Sequence, residues 1–418
     1  FPSDELLRAE AVASSRDLLA QRLYAMGQCQ SEGKKILVTH TSALLRFLPD
    51  PKDFSKATIR LKKGDSLDLS ELKRSLSQFG YETSTKVERS LQFASRGDIL
   101  DVYSVSYLEP IRIEFFGDEI ESIRLFDLQT QESLSEIDEC VILPGSDIFL
   151  DEDQMVSLRI KVDERLERDA RLLNKETGDL MRQNVENDMI RFSSHDYRSD
   201  LYRYYGFALG ESFSILHYLR PDIVFFTNKE QFDSALEIYS KDSSDFLGDL
   251  FAKGRGLTSF RQHMGLSSAL PGKSKVVYSH QFATKPGELV FQAHSITSLG
   301  KNADQALTMI QTYLTTCDKV IISTPDIRQK EIIKSLLVDN SIDFEETKDL
   351  SIPSKGVAIS ESALSEGFEL PSLLNLYDSL LDFANRLLSK MNSRTKAMAF
   401  IKLLLPEALA PYMTADLN

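Results

Sequence analysis

Cysteine is scarce in this chain and poorly placed for a framework. Its 418 residues contain three, Cys29, Cys140 and Cys317, far apart and without a CxxC pair. An odd, dispersed set argues against a disulfide scaffold or structural zinc and reads as buried thiols in a reducing cytoplasm. Long apolar runs are missing as well. The longest are short, such as Ile223-Val224-Phe225-Phe226, so nothing in the pattern spans a bilayer and no membrane partner is expected. Positive charge is in deficit: 49 Lys and Arg against 63 Asp and Glu leave a net charge of −14. So acidic a chain lacks the footprint of an autonomous nucleic-acid binder, although a local basic patch for a protein partner remains compatible with it. No run of charged, apolar and small residues marks a signal sequence at the start. The chain enters directly at Phe1-Pro2-Ser3-Asp4-Glu5 and reads as a cytoplasmic piece of something longer.

The motifs of common enzyme sites are missing too. Gly272-Lys273-Ser274 has the end of a phosphate-cradling loop, but the first glycine of that motif would fall at Ser267. Pro271 precedes Gly272 and no clear strand enters, so the segment reads as a linker. Gly206 and Gly210 read as a loop. The six histidines show no metal-ligand spacing, and no Gly-x-Ser-x-Gly elbow exists. No local motif assembles a catalytic site, which favours a scaffold or binding role.

What is present is ordinary globular material, 42% hydrophobic and 27% charged, in a length that predicts two to four domains. Apolar spacing predicts a helix over residues 4–27, a buried strand at Ile36–His40 after Gly33, and a helix from Ser42 to Leu48 stopped by Pro49. A strand and the helix Leu69–Phe79 follow. From Tyr81 to Leu143 the pattern alternates: strands at Ile99–Tyr103, Ile111–Phe116 and Ile120–Phe126, the last two joined across Gly117-Asp118 as a hairpin. Residues 151–206 are charged and helical. A strand at Asp222–Phe226 leads into a helix Lys229–Ala252, with further short strands at Val276–Tyr278 and Leu289–Phe291. Helices Ala303–Thr316 and Asp326–Asn340 alternate with strands Lys319–Ser323 and Gly356–Ser360 as a small open sheet. No long-period repeat is found.

The segment Phe93-Ala-Ser-Arg-Gly-Asp-Ile-Leu-Asp-Val-Tyr103, with Pro110-Ile-Arg-Ile-Glu-Phe-Phe-Gly-Asp-Glu-Ile-Glu-Ser-Ile-Arg-Leu-Phe-Asp127, strongly resembles a small domain shared by the excision-repair protein UvrB and the transcription-repair coupling factors (Mfd). It continues through Gln131–Leu134 to Val141–Pro144. Phe1–Glu5, Ile36–Pro49, His195–Leu219 and residues 300–374, ending Gly367-Phe-Glu-Leu-Pro371, resemble further parts of the coupling factors. The resemblance covers about residues 1 to 374.

It implies a multidomain α/β chain. Residues 1–80 would be an incomplete, degenerate P-loop-like part of UvrB type, and 81–145 an inserted β-rich domain that binds UvrA. Residues 146–295 would complete the UvrB-like part with helices, 296–374 would form a small α/β domain, and 375–418 an atypical Leu/Met-rich helical tail. It implies recruitment of UvrA, with no catalysis and no cofactor in this chain. In the family the longer protein uses ATP and Mg to translocate on DNA and displace stalled RNA polymerase, through downstream domains this chain does not carry. Two alternatives are a truncated UvrB-type excinuclease subunit and a stand-alone competitor for UvrA. Three features weigh against UvrB itself. No aromatic-rich hairpin separates Phe1 from Ile36, the α/β segment after residue 299 suits the coupling factors, and the strand Ile223–Phe226 ends in Thr227-Asn228. A Walker B strand would end in Asp-Glu to hold magnesium.

For UvrA docking the resemblance singles out Arg96, Arg112 and Phe116. Arginine offers fixed donors to partner carboxylates, and an exposed phenylalanine an apolar anchor. Arg112 and Phe116 are four apart, so an undisturbed strand places both on one face. Glu114 shares that parity and is an internal partner for Arg112. Phe115 and Phe116 must point to opposite sides, one of them buried; the resemblance makes Phe116 the exposed one. Arg96, beside Gly97, either docks or stabilises a turn, and Arg124 reads as solvated.

Overall fold

A computed structural model describes residues 1–2, 16–194, 201–209, 211–280, 282, 294–296, 303–317, 319–324, 326–347, 356–362 and 367–369. They fall into two compact units, 1–281 and 282–418.

The first unit begins with helix α1 (Arg16–Gln30), the single turn α2 (Thr41–Leu44) and α3 (Pro51–Ala57). Asp50 caps α3 by accepting from the Lys52 N–H, with proline at the first helical position where its missing donor costs nothing. Strand β1 (Ile59–Lys62) leads to α4 (Leu69–Gln78), capped by Asp68, whose Leu72 and Leu76 lie one turn apart and are buried.

Six strands then form one sheet: β2 (Glu82–Thr83), β3 (Gln92–Arg96), β4 (Ile99–Val102), β5 (Ile111–Phe116), β6 (Glu119–Phe126) and β7 (Ser133–Glu136), neighbours in sequence being neighbours in space. β3–β4 and β5–β6 close with two-residue loops that open on Gly97 (φ 58°) and Gly117 (φ 64°), a backbone region that suits glycine. Strand β8 (Glu139–Ile142) leaves the sheet to pair antiparallel with β1.

Alternation along β5 sends Ile111, Ile113 and Phe115 inward and Arg112, Glu114 and Phe116 outward. The inward row joins Phe93, Leu100, Val102, Ile120 and Ile123 in a core completed by Leu23 and Met26 of α1 and by Leu72 and Leu76.

The rest of the unit is mainly helical: α5 (Glu152–Ala170), α6 (Lys175–Ser193), α7 (Tyr202–Ala208), α8 (Ile215–Leu219), α9 (Lys229–Ala252) and α10 (Leu266–Ala269). A parallel pair of strands, β9 (Ile223–Phe226) and β10 (Lys275–Tyr278), accompanies them. Leu158, Val162, Met181, Val185, Phe192 and Tyr202 centre a second core.

A buried ion cluster ties this region to the exit of the sheet domain. Asp147 Oδ2 lies 2.7 Å from Arg22 Nε and 3.0 Å from Arg46 Nη2, all three side chains being at most 4% exposed. The Arg46 guanidinium also sits 4.2 Å from the Tyr202 ring centre. Burial alone would raise the Asp147 carboxyl; the two guanidinium groups outweigh it and hold it down at about 2.

The second unit carries α11 (Ala303–Thr316) and α12 (Ile327–Asp339) around a parallel sheet of β12 (Lys319–Ser323), β14 (Gly356–Ser360) and β13 (Phe344–Thr347), in that spatial order. Ile310, Ile322, Leu337, Val357 and Ile359 form its core. A separate antiparallel pair joins β11 (His294–Ile296) to β15 (Gly367–Glu369).

Three expectations need correction. The buried strand at Ile36–His40 does not form. That segment is extended, but Ile36 and Val38 are 66% and 78% exposed, and only Leu37 and its alternate neighbours are partly covered. Apolar composition buries a strand only when neighbours flank it; here the Val38 carbonyl accepts from the Phe1 amino group at 2.7 Å and the His40 carbonyl from the Leu44 N–H of the following turn at 2.9 Å, and neither belongs to a flanking strand. The helix expected to reach Leu48 is the single turn α2; Leu48 instead bridges to Phe213. Gly206 lies inside α7 rather than in a loop, where a Cβ would come within 2.4 Å of the Phe47 ring. The expected strand at Leu289–Phe291, the start of the first helix, part of His195–Leu219 and the 375–418 tail lie outside the described residues.

Candidate partner-docking face

Arg96, Arg112 and Phe116 come together on the outward face of the six-stranded sheet. Directly opposed residues share a face. Ala94, Asp101, Arg112, Arg124 and Glu136 form one outward row across β3 to β7, and Arg96, Ile99, Glu114 and Ser122 the next. An extra residue at Glu121 shifts the β5–β6 register between Glu114 and Phe115, so the bulge falls on β6 and leaves the alternation of β5 intact.

Phe115 is 5% and Phe116 80% exposed. The hairpin that carries Phe116 is braced from outside. Gly64 N–H donates to the Ile120 carbonyl (2.9 Å), Ile120 N–H to the Asp65 carbonyl (2.9 Å) and Leu67 N–H to the Asp118 carbonyl (2.8 Å). An apolar ring is therefore presented to solvent on a rigid tip, at low ordering cost to a partner.

Arg112 is the least accessible of the three, its side chain 16% exposed. Its partner is Asp101, opposite it on β4, not Glu114: Nε donates to Oδ1 at 2.7 Å and Nη2 to Oδ2 at 2.9 Å. The guanidinium lies 4.4 Å above the Phe126 ring centre and approaches the Gln131 carbonyl at 3.4 Å. Its hydrogen bonds to Asp101 raise its pKa further. Glu114 instead pairs with Arg124 at 3.0 Å and accepts from the Ser122 hydroxyl at 2.7 Å. Strand pairing decides this: residues two apart on one strand are about 7 Å apart, whereas opposed residues on neighbouring strands are closer. Arg124 is thus paired as well as half exposed.

Arg96 extends into solvent, 65% exposed, with Asp101 Oδ2 3.9 Å from Nη2 as its nearest carboxylate. Among the described residues its side chain makes no turn-stabilising hydrogen bond. Sequence reasoning missed Asp101 and Gln131. Asp101 carried a legible signal, a lone carboxylate between Leu100 and Val102 in an otherwise apolar strand. Gln131 reaches the site from a loop in a left-handed conformation (φ 65°), which no pattern announces.

The second place singled out is the end of β9. Thr227 is exposed, and Asn228, in the left-handed region (φ 54°), caps α9 by accepting from the Gln231 N–H at 3.0 Å. The Asn228 N–H donates to the Ser279 hydroxyl at 3.1 Å. Gly272-Lys273-Ser274 precedes β10 instead of following a strand, and the Ser274 hydroxyl donates to the Pro221 carbonyl at 2.7 Å. This is the reverse of a phosphate loop's context.

Among the described residues no three His, Cys, Asp or Glu gather as a metal-binding set, and no helix is long and apolar enough to cross a membrane. Cys29 and Cys140 are buried and Cys317 half-buried, all as free thiols. Burial pushes the first two up to about 11 and about 12.

Comparison with known proteins first gives the class of the sheet domain: residues 59–148 match the family model of the UvrB interaction domain. The match starts on β1, in keeping with the β1–β8 pairing and the hairpin brace at 63–67. Beyond it, the chain is similar over most of its length to transcription-repair-coupling factors. It is 22% identical over 406 residues to that of Staphylococcus haemolyticus (strain JCSC1435), covering 96% of this chain and 35% of the relative. It is 23% identical over 382 residues to that of Bacillus subtilis (strain 168), covering 89% and 32%. The resemblance read from the sequence is borne out, in a mixed α/β chain with several small sheets. The chain spans about a third of the length of the curated relatives it matches.

Proposed function

We propose that this chain is the UvrA-recruiting region of a transcription-repair-coupling factor and performs no catalysis of its own. The observation that carries the reading is Phe116, 80% exposed on a braced hairpin and on the same outward face as Arg96 and Arg112, in the domain that matches the UvrB interaction model. Covering an exposed phenylalanine ring contributes about 1.5–3 kcal/mol, and aromatic and arginine side chains are the usual anchors of an interface. The chain needs no cofactor for this role. The longer protein would use ATP and Mg to move on DNA and displace RNA polymerase stalled at lesions, through other domains, in the cytoplasm. This face would then hand the exposed lesion to UvrA.

The residues at the end of β9 support the non-catalytic reading against a UvrB-type excinuclease subunit. A threonine and a helix-capping asparagine supply no carboxylate pair for magnesium.

The test is calorimetric titration of UvrA into this chain at moderate salt without nucleotide, with Arg96→Ala and Phe116→Ala beside it. Binding that each variant weakens supports the reading. Absence of binding by a cooperatively folded chain overturns it.

A further inference from the structure

We propose that Asp101 is a positioning residue of the docking face: a buried carboxylate that aims the guanidinium groups of Arg112 and Arg96 at a partner surface carrying a carboxylate beside an apolar pocket. This rests on the reading of the face as the UvrA-docking site and names the chemistry that UvrA must offer there.

Asp101 is 2% exposed, between Leu100 and Val102, which are both fully buried. A carboxylate removed from water is tolerated only when hydrogen-bonded and paired. Both its oxygens are spent on Arg112, and Oδ2 also stands 3.9 Å from Arg96. One negative charge therefore serves two cations. The other acids of the outward rows are engaged elsewhere, Glu114 with Arg124 and Glu136 with Lys63 at 2.8 Å. Within these two rows the least committed positive charge is Arg96, the most exposed arginine; in the next row Phe116 stands opposite the exposed Glu119.

Arg112 is held from three sides, by Asp101, by the Phe126 ring beneath and by Gln131, whose carbonyl and Oε1 lie at 3.4 and 3.5 Å. Using Nε and Nη2 for Asp101 fixes the plane of the guanidinium. It cannot swing to meet a partner: Nε and Nη2 face Asp101, Nη1 and Nη2 face Gln131, and the outer Nη1 N–H is the donor left pointing in one fixed direction. Arg96, by contrast, is tethered by charge alone and reaches out. A partner carboxylate meets Arg96 first and the remaining Nη1 N–H of Arg112 second, while Phe116 enters an apolar pocket further along the same face. The inward charge of Asp101 sets the geometry without touching the partner.

The test uses the full chain and purified UvrA, with Asp101→Asn, Arg112→Ala, their double variant, Arg112→Lys, Phe116→Ala and the parent compared by calorimetry and thermal unfolding. Asp101→Asn keeps the shape and removes the charge. Among molecules that unfold cooperatively it is expected to bind UvrA at least about tenfold more weakly. Its effect and that of Arg112→Ala should fail to add in the double variant. Arg112→Lys retains the charge, loses the planar fork and is expected to bind as poorly as Arg112→Ala; it keeps the test decisive if Asp101→Asn does not fold. The Arg112 Nε–H, which donates to Asp101 at 2.7 Å, is expected to exchange slowly in the parent and faster in a folded Asp101→Asn chain. An Arg112→Lys chain that binds like the parent, or an Asp101→Asn chain with unchanged affinity, overturns the positioning role while loss of binding in Phe116→Ala leaves the docking reading standing. No binding by the parent overturns both.

Discussion

The outward face of the six-stranded sheet and the junction of β9 with α9 are both places where related sequences would do chemistry or binding, and they are built in opposite senses. On the sheet, Phe116 and Arg96 are held out to solvent while Asp101, Phe126 and the 63–67 brace do the holding. At the junction the polar side chain turns inward on its own fold: Asn228 caps the helix that follows. A group that completes a helix terminus is not free to bind magnesium, and a ring that nothing covers is free to bind a partner. Exposure and internal engagement, rather than residue type, separate a surface left open to a partner from one closed on its own fold.

The sharpest way to break that comparison is the adjacent pair Phe115 and Phe116. Phe115→Ala should cost about 3–5 kcal/mol of stability, because it empties a packed core position. Phe116→Ala should change stability by no more than about 0.5 kcal/mol yet weaken UvrA binding by roughly 30-fold or more, as expected of an interface anchor. Urea unfolding and calorimetry on both variants measure the contrast; equal stability losses would mean that the ring at 116 packs internally.

A second test concerns the ion cluster that ties the sheet domain to the helical region. The Asp147 carboxyl is held at about 2, below its ordinary 3.8. Its stabilisation is complete above about pH 4 and is lost as pH falls through 2, a contribution on the order of 2 kcal/mol. The difference in unfolding free energy between the parent and Asp147→Asn, followed from pH 6 downward, should shrink across that window. A constant difference would remove Asp147 from the acid response.

Smaller effects are expected at the closed site. Asn228→Ala should cost about 1 kcal/mol through loss of the cap, read as a lower thermal midpoint. Thr227→Asp with Asn228→Glu should likewise destabilise without producing ATP hydrolysis, because a left-handed position disfavours glutamate and, among the described residues, no phosphate loop faces it. Measurable turnover would reopen the junction as a nucleotide site. The smallest effect is chemical. In the native chain Cys317 should react first with a thiol reagent, while Cys29 and Cys140, buried and with thiols pushed up to about 11 and about 12, should react only on unfolding.

Much of the sheet domain was legible because its evidence is local. Alternation along Ile111–Phe116 and Ile120–Phe126, with a glycine-first loop between them, needs only neighbouring residues to be read. The helix Lys229–Ala252 was visible for the same reason, with Asn228 at its start. The segment at Ile36–His40 was misread because apolar, β-branched composition does not say whether anything lies alongside. The partner of Arg112 was misassigned because parity along one strand names residues on the same side but not the opposed residue on the next strand.

By itself the sequence determined the element pattern of most of the chain and the resemblance of the 93–127 segment. The choice between Phe115 and Phe116 rested on that resemblance, because parity requires one of them to be inward without saying which. Only the tertiary structure decided that Asp101 is buried beneath two arginines, that Arg112 is largely spent on it, that the 63–67 loop braces the hairpin, and that Asn228 is spent on a cap. Strand register and loop docking bring together residues far apart in the chain. Nothing in composition or periodicity encodes which long-range pair closes first or which charge is shared.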